Sequence, residues 1–578
     1  MAAEVDPITL QVLIRGLQSI ADEMVAALVR TAYSTNIKDR RDCSAALYSL
    51  DGEVVTQCEL GTPLHLGTMS PTVRTALQAY PASSLRAGDA VILNTPYPAG
   101  PGHLNDIGML SPVLWEGEVV ALVANTAHHV DVGGFAPGSM PFGVTEIYQE
   151  GLQIPPVRLF KEGRLDDELF RLISQNVRTD KEFRGDILAQ AGANHVGVKR
   201  LGHLLERYGP ELLRRYFNAI QDHAERRMRA GIAALPDGRY EFEDVIEGDS
   251  LSDRLITLRV AVIIEGERLS VDFSGTDAQV AGPINCFPPS VFACVAYAMK
   301  LLIDPELPPC AGTYRPLEVV APPGSLLNAR YPAAVCNANI ITTQRLVDIM
   351  LGAMAQAVPE RVSAACTGSM NLLTIGGSDG FGERFNYIET YGGGQGAFRD
   401  KDGMSGVHTH MTNTRNASVE SIEQAYPLLV ERYGLVPGSG GPGRQRGGLG
   451  MVRALRLLGK EATVTVSMDR LRRQPWGLDG GGGGRCGSAR LVKADGSSHD
   501  LPSKVTLKIN EGDCMIITTA GGGGWGDPRR RPASAVAMDV ALGLVSAQQA
   551  REQYGLEAAQ AAPARREADG PSHGTFAE

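Results

Sequence analysis

The sequence contains no Cys-x-x-Cys pair, no G-x-x-x-x-G-K-[ST] loop and no basic patch that stands out, and each absence argues against a class of function. Its nine cysteines, at 43, 58, 286, 294, 310, 336, 366, 486 and 514, are odd in number and scattered. That pattern supports neither a disulfide framework nor a thiolate zinc site, and buried thiols are expected. A net charge of −10 and a pI near 5.7 speak against nucleic acid or a membrane surface as partner, since both require clustered positive charge. Apolar runs fall well short of the ~20 residues of a membrane span. The opening MAAEVDPITL lacks the basic-then-apolar layout of a secretory leader, so a cytoplasmic protein is expected.

The 578 residues that are there suffice for two to four domains with cores of their own, and 67 glycines point to many turns and close backbone approaches rather than a helical bundle. A β-rich, multi-layer α+β fold is expected. It divides into a metal-binding α+β region at 1–180, a helical connector at 181–250, a β-rich α+β region with glycine-rich loops at 251–555, and a disordered tail at 556–578.

The stretch PGHLNDIGMLSPVLWEGEVVALVANTAHHVDVGG, residues 101–134, carries the chemistry. Apolar runs from Ile107 to Trp115 and from Val119 to Ala124 flank Glu116-Gly117, the pattern of a β-hairpin. Folding about that turn puts Asp106 opposite about Ala127 and Asn105 opposite about His128, within a slip of a residue or two. The open end then gathers His103, Asp106, His128, His129 and Asp131. Imidazole plus carboxylate suits Zn²⁺, Mn²⁺ or Fe²⁺, and a three-ligand site leaves positions open for water or substrate. For any one of these residues the alternative is a polar side chain in a solvated loop.

Elsewhere, Asp6-Pro7 followed by Leu13, Leu17, Ile20, Met24 and Leu28 predicts a long amphipathic helix over 7–33. Residues 40–57, RRDCSAALYSLDGEVVTQ, read as a hairpin turning on Asp51-Gly52 with Arg40, Arg41 and Asp42 at its open end. Asp42 is either a fourth ligand or water-orienting base, or simply the partner of an arginine. His65, in GTPLHLGTM, either supports the site or transfers a proton, or is a hydrogen-bonded loop residue. Gly133-Gly134 and residues 137–140 read as a flexible loop over the site, and Glu146 and Glu150 beyond it are either candidate general bases or solvated loop residues, the latter favoured for either one.

Helical periodicity from Glu182 to about Leu235, broken at Gly209-Pro210, predicts two helices in which His195, His203 and His223 are ordinary residues. A further hairpin is expected over 255–273. His408 and His410, in HTHMTNTRNASVE, alternate as on one face of a strand, either as a second metal or substrate-contact site or as part of an exposed polar segment. Three glycine-rich segments, 438–448, 479–485 and 520–528, fit no nucleotide motif and read as tight turns at the rims of β structure.

The motifs RTAYSTNIKDRRDCSAALYSLDG, HLGTM, GHLNDIGM, HHVDVGG, DFSGT, HTHMTNTRNASVE with YPLLVERYGL, GSGGPGRQRGGLG, PWGLDGG and GGGGWGDP run in this order over nearly the whole chain. In them the chain resembles the hydantoinase B family, the subunit shared by N-methylhydantoinase, 5-oxoprolinase, acetone and acetophenone carboxylases and related lactamases. Cys43 stands where the family has an aromatic residue, and Pro442 interrupts a glycine loop.

The resemblance implies that His103, Asp106 and His128 carry the metal, zinc or manganese; Asp42, His129 or Glu146 is then expected to orient or deprotonate a water. It also implies a hydantoinase A-like partner that binds and cleaves ATP, and hence a hetero-oligomer. The reaction expected is the opening of a cyclic amide, whether hydantoin, 5-oxoproline or lactam. The partner would phosphorylate the poorly electrophilic carbonyl, and this chain would deliver hydroxide generated at the metal. Ketone carboxylation, which the compact length disfavours, and a non-catalytic scaffold are the other two readings.

Overall fold

The computed structural model describes residues 5–379 and 382–556, so the tail expected to be disordered lies, beyond Leu556, outside the described residues. The first helix, α1 (Pro7–Thr31), starts where its sequence dictates: Asp6 accepts the Thr9 amide proton at 2.8 Å and Pro7 opens the first turn. Its stripe of Leu13, Leu17, Met24 and Leu28 is buried.

β1 (Cys43–Tyr48) and β2 (Val54–Gln57) form the hairpin about Asp51-Gly52. Helix α2 (His65–Ala79) and β3 (Ala90–Leu93) follow, then the long hairpin of β4 (Asp106–Trp115) and β5 (Glu118–His128), then β6 (Val157–Lys161) and β7 (Arg164–Leu165). These seven strands make one sheet in the order β2-β1-β5-β4-β3-β6-β7. Alternation along β1 and β5 shares their apolar side chains between two helical layers. Ala46, Tyr48, Leu122 and Ala124 pack with Met69 and Val73 of α2. Ala45, Leu47, Ala121 and Val123 pack on the other side with α1, α3 (Asp180–Tyr208) and α4 (Pro210–Ala233).

The connector is thus two helices parted at Gly209-Pro210, as the spacing predicts, and it stops at Ala233 because a strand begins at Gly238. It also braces the hairpin. Gln190 donates to the Ile107 carbonyl at 2.8 Å and Asn194 to that of Met109 at 3.1 Å, so buried polar groups of β4 are satisfied by α3.

A second sheet, in the order β11-β10-β9-β8, contains β8 (Gly238–Glu247), the expected hairpin of β9 (Leu255–Glu265) and β10 (Arg268–Asp272), and β11 (Leu317–Val320). It shares a core with α5 (Pro288–Ile303) and α6 (Thr342–Met354). The two halves meet where α2 crosses α5. A Cβ at Gly67 would lie 2.6 Å from the Ala293 nitrogen, so only glycine permits that approach and the placing of His65 two residues before it.

The remaining strands are β12 (Leu372–Ser378), β13 (Arg384–Thr390), β14 (Leu428–Leu435), β15 (Met451–Leu457), β16 (Glu461–Ser467), β17 (Ser488–Val492), β18 (Ser498–Leu501), β19 (Lys504–Asn510) and β20 (Cys514–Thr518). They form two antiparallel sheets, β13-β12-β16-β19 and β14-β15-β20-β17-β18, around one apolar core that includes Ile375, Val464, Leu455 and Met515.

The glycine-rich segments correct the expectation of rim turns. They run alongside one another, buried over 446–450 and 520–526 and partly exposed over 479–485: Gly441 N–H donates to Gly522 O at 2.8 Å, Gly522 to Gly448 O at 2.9 Å, and Gly524 to Gly482 O at 2.9 Å. A Cβ at Gly523 would meet the Trp476 carbonyl oxygen at 2.0 Å. Glycine is required here because backbone packs on backbone.

Candidate metal centre

Register decides what the open end of the long hairpin presents. Asp106 pairs with His128 and Ile107 with Ala127, one residue along β5 from the expected alignment. Near the turn Leu114 pairs with Val119, but the next pair is Val113 with Ala121, so a β-bulge leaves Val120 unmatched and shifts the rest of the ladder.

His103, Asp106 and His128 converge there, with one ligand atom from each lying within 4.8 Å of the others. All three are buried. His103 Nδ1 lies 3.0 Å from the Cys336 carbonyl, an oxygen that can only accept, so Nδ1 carries the proton and Nε2 offers its lone pair 3.4 Å from Asp106 Oδ1. His65, at the start of α2, brings Nε2 to 3.8 Å from the same oxygen while its Nδ1 meets Ser44 Oγ at 2.8 Å. Asn36 donates to the His128 carbonyl at 2.7 Å and lies 3.1 Å from its Nδ1, and Asn36 Oδ1 accepts in turn from Arg40 at 2.5 Å.

The electrostatics favour a cation. Burial would raise the Asp106 pKa, but His103 and His65 outweigh it and hold the carboxyl well below the usual range. Burial would lower His103, yet Asp106 keeps it above its ordinary value. Burial together with the nearby His103 pushes His128 down to about 4, leaving it as the neutral imidazole that binds metals. Asp106 Oδ2 is buried without a hydrogen-bond partner. An orphaned carboxylate oxygen beside two imidazoles is a donor set that fits a divalent ion of borderline hardness.

The pocket around these groups is lined by Arg40, Asp42, His65 and Asn339 as well as the three, and encloses about 30 Å³, enough for water or an ion. Asp42 lies at its edge. Its Oδ1 accepts from Thr62 Oγ1 at 2.9 Å, and it makes no ion pair with Arg40 or Arg41 among the described residues. Arg40 is instead bonded to Asn36, Ile388 and Thr390.

Other candidates fall elsewhere. His129 points into the core, its Nε2 2.9 Å from Gln190 Oε1 and its ring 4.9 Å from that of Phe183. Adjacent strand residues face opposite sides, so His128 and His129 could not both turn to the pocket. Asp131 is bound by Arg178 at 2.9 Å and by the Gly133 and Gly138 amides, which ties down the loop expected to be flexible. Glu146 is exposed, caps the short helix Ile147–Gln149 and does not line the pocket. Glu150 is buried, accepts from the Val335 and Cys336 amides at 2.6 and 2.8 Å, and is pushed up to about 7 by burial. It thereby fixes the peptide whose carbonyl holds His103.

His408 and His410 do not sit on a strand: His410 has a left-handed backbone, φ 55°, which breaks the alternation. His410 bonds Asp348, while His408 keeps both ring nitrogens buried without hydrogen-bond partners. Sequence reading missed Asn36, Thr62, Asn339 and the Cys336 carbonyl. None has a local spacing signal, because each reaches the pocket through the tertiary fold.

Fold and pocket together define a layered α+β protein built around a buried histidine–carboxylate centre. The chain belongs to the hydantoinase B/oxoprolinase family, whose profile matches residues 6–528. It is 39% identical to an uncharacterized protein of Methanocaldococcus jannaschii over 95% of this chain and 96% of that one. It is 34% identical to the 5-oxoprolinase of Dictyostelium discoideum, aligning 91% of this chain but spanning only 41% of that protein. Among solved structures, the ATP-dependent caprolactamase from Pseudomonas jessenii superposes with a TM-score of 0.88 at 31% identity, covering 95% of this chain and 96% of that chain. A nucleotide-free acetone carboxylase shares the fold, with a TM-score of 0.89 at 20% identity over 95% of this chain and 79% of that one.

Proposed function

We propose that this chain is the metal-bearing subunit of an ATP-dependent cyclic amidohydrolase. It opens a hydantoin, 5-oxoproline or lactam ring whose carbonyl has been phosphorylated by a hydantoinase A-like ATPase, with which it forms a hetero-oligomer. The reading rests on the His103–Asp106–His128 cluster, with its unpartnered Asp106 Oδ2 in a pocket with room for water. Likeness to a caprolactamase directs it toward ring amides.

Zinc or manganese held by these three residues would act as a Lewis acid and bring the pKa of water from 15.7 toward about 7. Asp42 is the group of this chain placed to take a proton from water: Thr62 occupies Oδ1, and its other oxygen is left to accept. Arg40 keeps a buried positive charge on the pocket wall, which suits a substrate that arrives bearing a phosphoryl group. His65 and the Cys336 carbonyl hold Asp106 and His103 in place. ATP activation is assigned to the partner, in keeping with the glycine-rich segments' lack of a nucleotide motif and with the bonding of many of their amides, among them those of Gly441, Gly482, Gly522 and Gly524, to neighbouring carbonyls.

The test is to co-express the chain with a hydantoinase A-type ATPase and measure ATP hydrolysis and ring opening across cyclic amides, with and without bicarbonate. Amide-dependent ATP turnover with ring-opened product is expected. Turnover only with a ketone plus bicarbonate would replace this reading with carboxylation, and full activity in a metal-free complex would leave the chain a scaffold.

A further inference from the structure

A second convergence of ligand-type side chains lies away from that pocket's lining. Asp348 of α6, Cys366 in the segment that leads to β12, and His410 bring one donor atom each within 4.8 Å of one another. They are 0%, 1% and 8% exposed. His410 Nε2 and the Cys366 amide both lie 3.1 Å from Asp348 Oδ1, while Asp348 Oδ2 is buried with no hydrogen-bond partner. Three positions far apart in sequence thus place sulfur, nitrogen and oxygen at one point, and His410 adopts its left-handed backbone to do so.

We propose that Asp348, Cys366 and His410 form a second divalent-metal site, of zinc-type donor chemistry, that ties these three segments together. Thiolate, imidazole and carboxylate are the donors zinc takes, whereas the thiolate disfavours manganese, calcium and magnesium. Binding displaces the Cys366 thiol proton, and the proton on His410 Nε2 moves to Nδ1 or leaves, so at least one proton is released as the ion enters. The nearest fixed cation, Arg470, stands 4.0 Å from Asp348 Oδ2, and its charge is already met by Asp244 at 2.5 Å. The Tyr297 ring, 6.2 Å from that of His410, also lines a surface cleft of about 300 Å³. The donor sets differ, so the two sites can be told apart, and this proposal stands whether or not the first site hydrolyses amides.

Cobalt(II) substitution of the full chain provides the test. A thiolate–cobalt bond gives a near-ultraviolet charge-transfer band that the sulfur-free His103 site cannot produce. The band is expected in the wild-type protein, retained in His103→Ala and lost in Cys366→Ser. His410→Gln, as a second variant, should remove or shift it. Absence of the band from folded wild-type protein, or its survival in folded Cys366→Ser, would overturn the proposal.

Discussion

Asp106 and His128 face each other as the last pair of the β4–β5 ladder, and a single unmatched residue, Val120, puts them there. Without that bulge Asp106 would stand opposite Ala127, and the imidazole would turn to the other face of the sheet. Deleting Val120 should therefore remove the bulge and still leave Asp106 opposite His128, so metal binding should survive, whereas deleting a matched residue such as Val123 should shift the open end by one and cost metal binding. Metal analysis and circular dichroism on the same samples decide it, and an unchanged metal content in the second variant would mean that the register is fixed from β1 instead.

His103→Ala should abolish binding of zinc or manganese at this centre. Asn36→Ala, which removes the amide that holds His128 and the oxygen that accepts from Arg40, should weaken affinity by about 10–100-fold. Competition titration with a chromogenic chelator measures both.

Two carboxylates of similar appearance in the sequence should behave oppositely. Asp42→Asn should lower kcat in the assembled enzyme by about 10²–10⁴-fold, the usual contribution of a positioned acid or base. Glu146→Gln, at an exposed cap, should change kcat by less than about twofold. A large loss in Glu146→Gln would return it to the list of bases.

Glu150 makes stability fall as pH rises. Its folded pKa of about 7 lies above the ordinary glutamate value of 4.5, so the folded chain holds the proton more tightly than the unfolded one. Below about pH 4.5 the group contributes no pH dependence. Between 4.5 and 7 stability declines, by about 3 kcal/mol in total for a shift of this size, and above 7 the cost is constant. Glu150→Gln should remove that decline, as read from urea unfolding across the window, and parallel profiles would show that burial does not shift this group.

The glycine segments give a stability test with an internal control. Gly523→Ala places a Cβ 2.0 Å from a carbonyl oxygen and should destabilise by more than about 3 kcal/mol or prevent folding. Gly202→Ala, on α3 with nothing within 4 Å, should be neutral or stabilise by up to about 1 kcal/mol. Thermal melts of the two variants separate packing from helix propensity.

Local chemistry was enough to read α1 from its Asp6-Pro7 cap and apolar stripe, the hairpins from their turn dipeptides, and the gathering of His103, Asp106, His128, His129 and Asp131 at one hairpin end from strand geometry, while the choice of three among them came from the family resemblance. Those features depend on residues close in sequence, where spacing and turn type leave few alternatives. Tertiary structure alone decided the rest. The bulge chose the register, and one-residue alternation then sent His129 into the core. Asp131 and Glu150, outwardly like ligands, went to bracing loops. The glycine runs, locally indistinguishable from turns, became a hydrogen-bonded backbone layer, and Asp348, Cys366 and His410 met only because distant segments pack together. Contacts between distant segments are set by which faces are buried against which, and no local pattern encodes that.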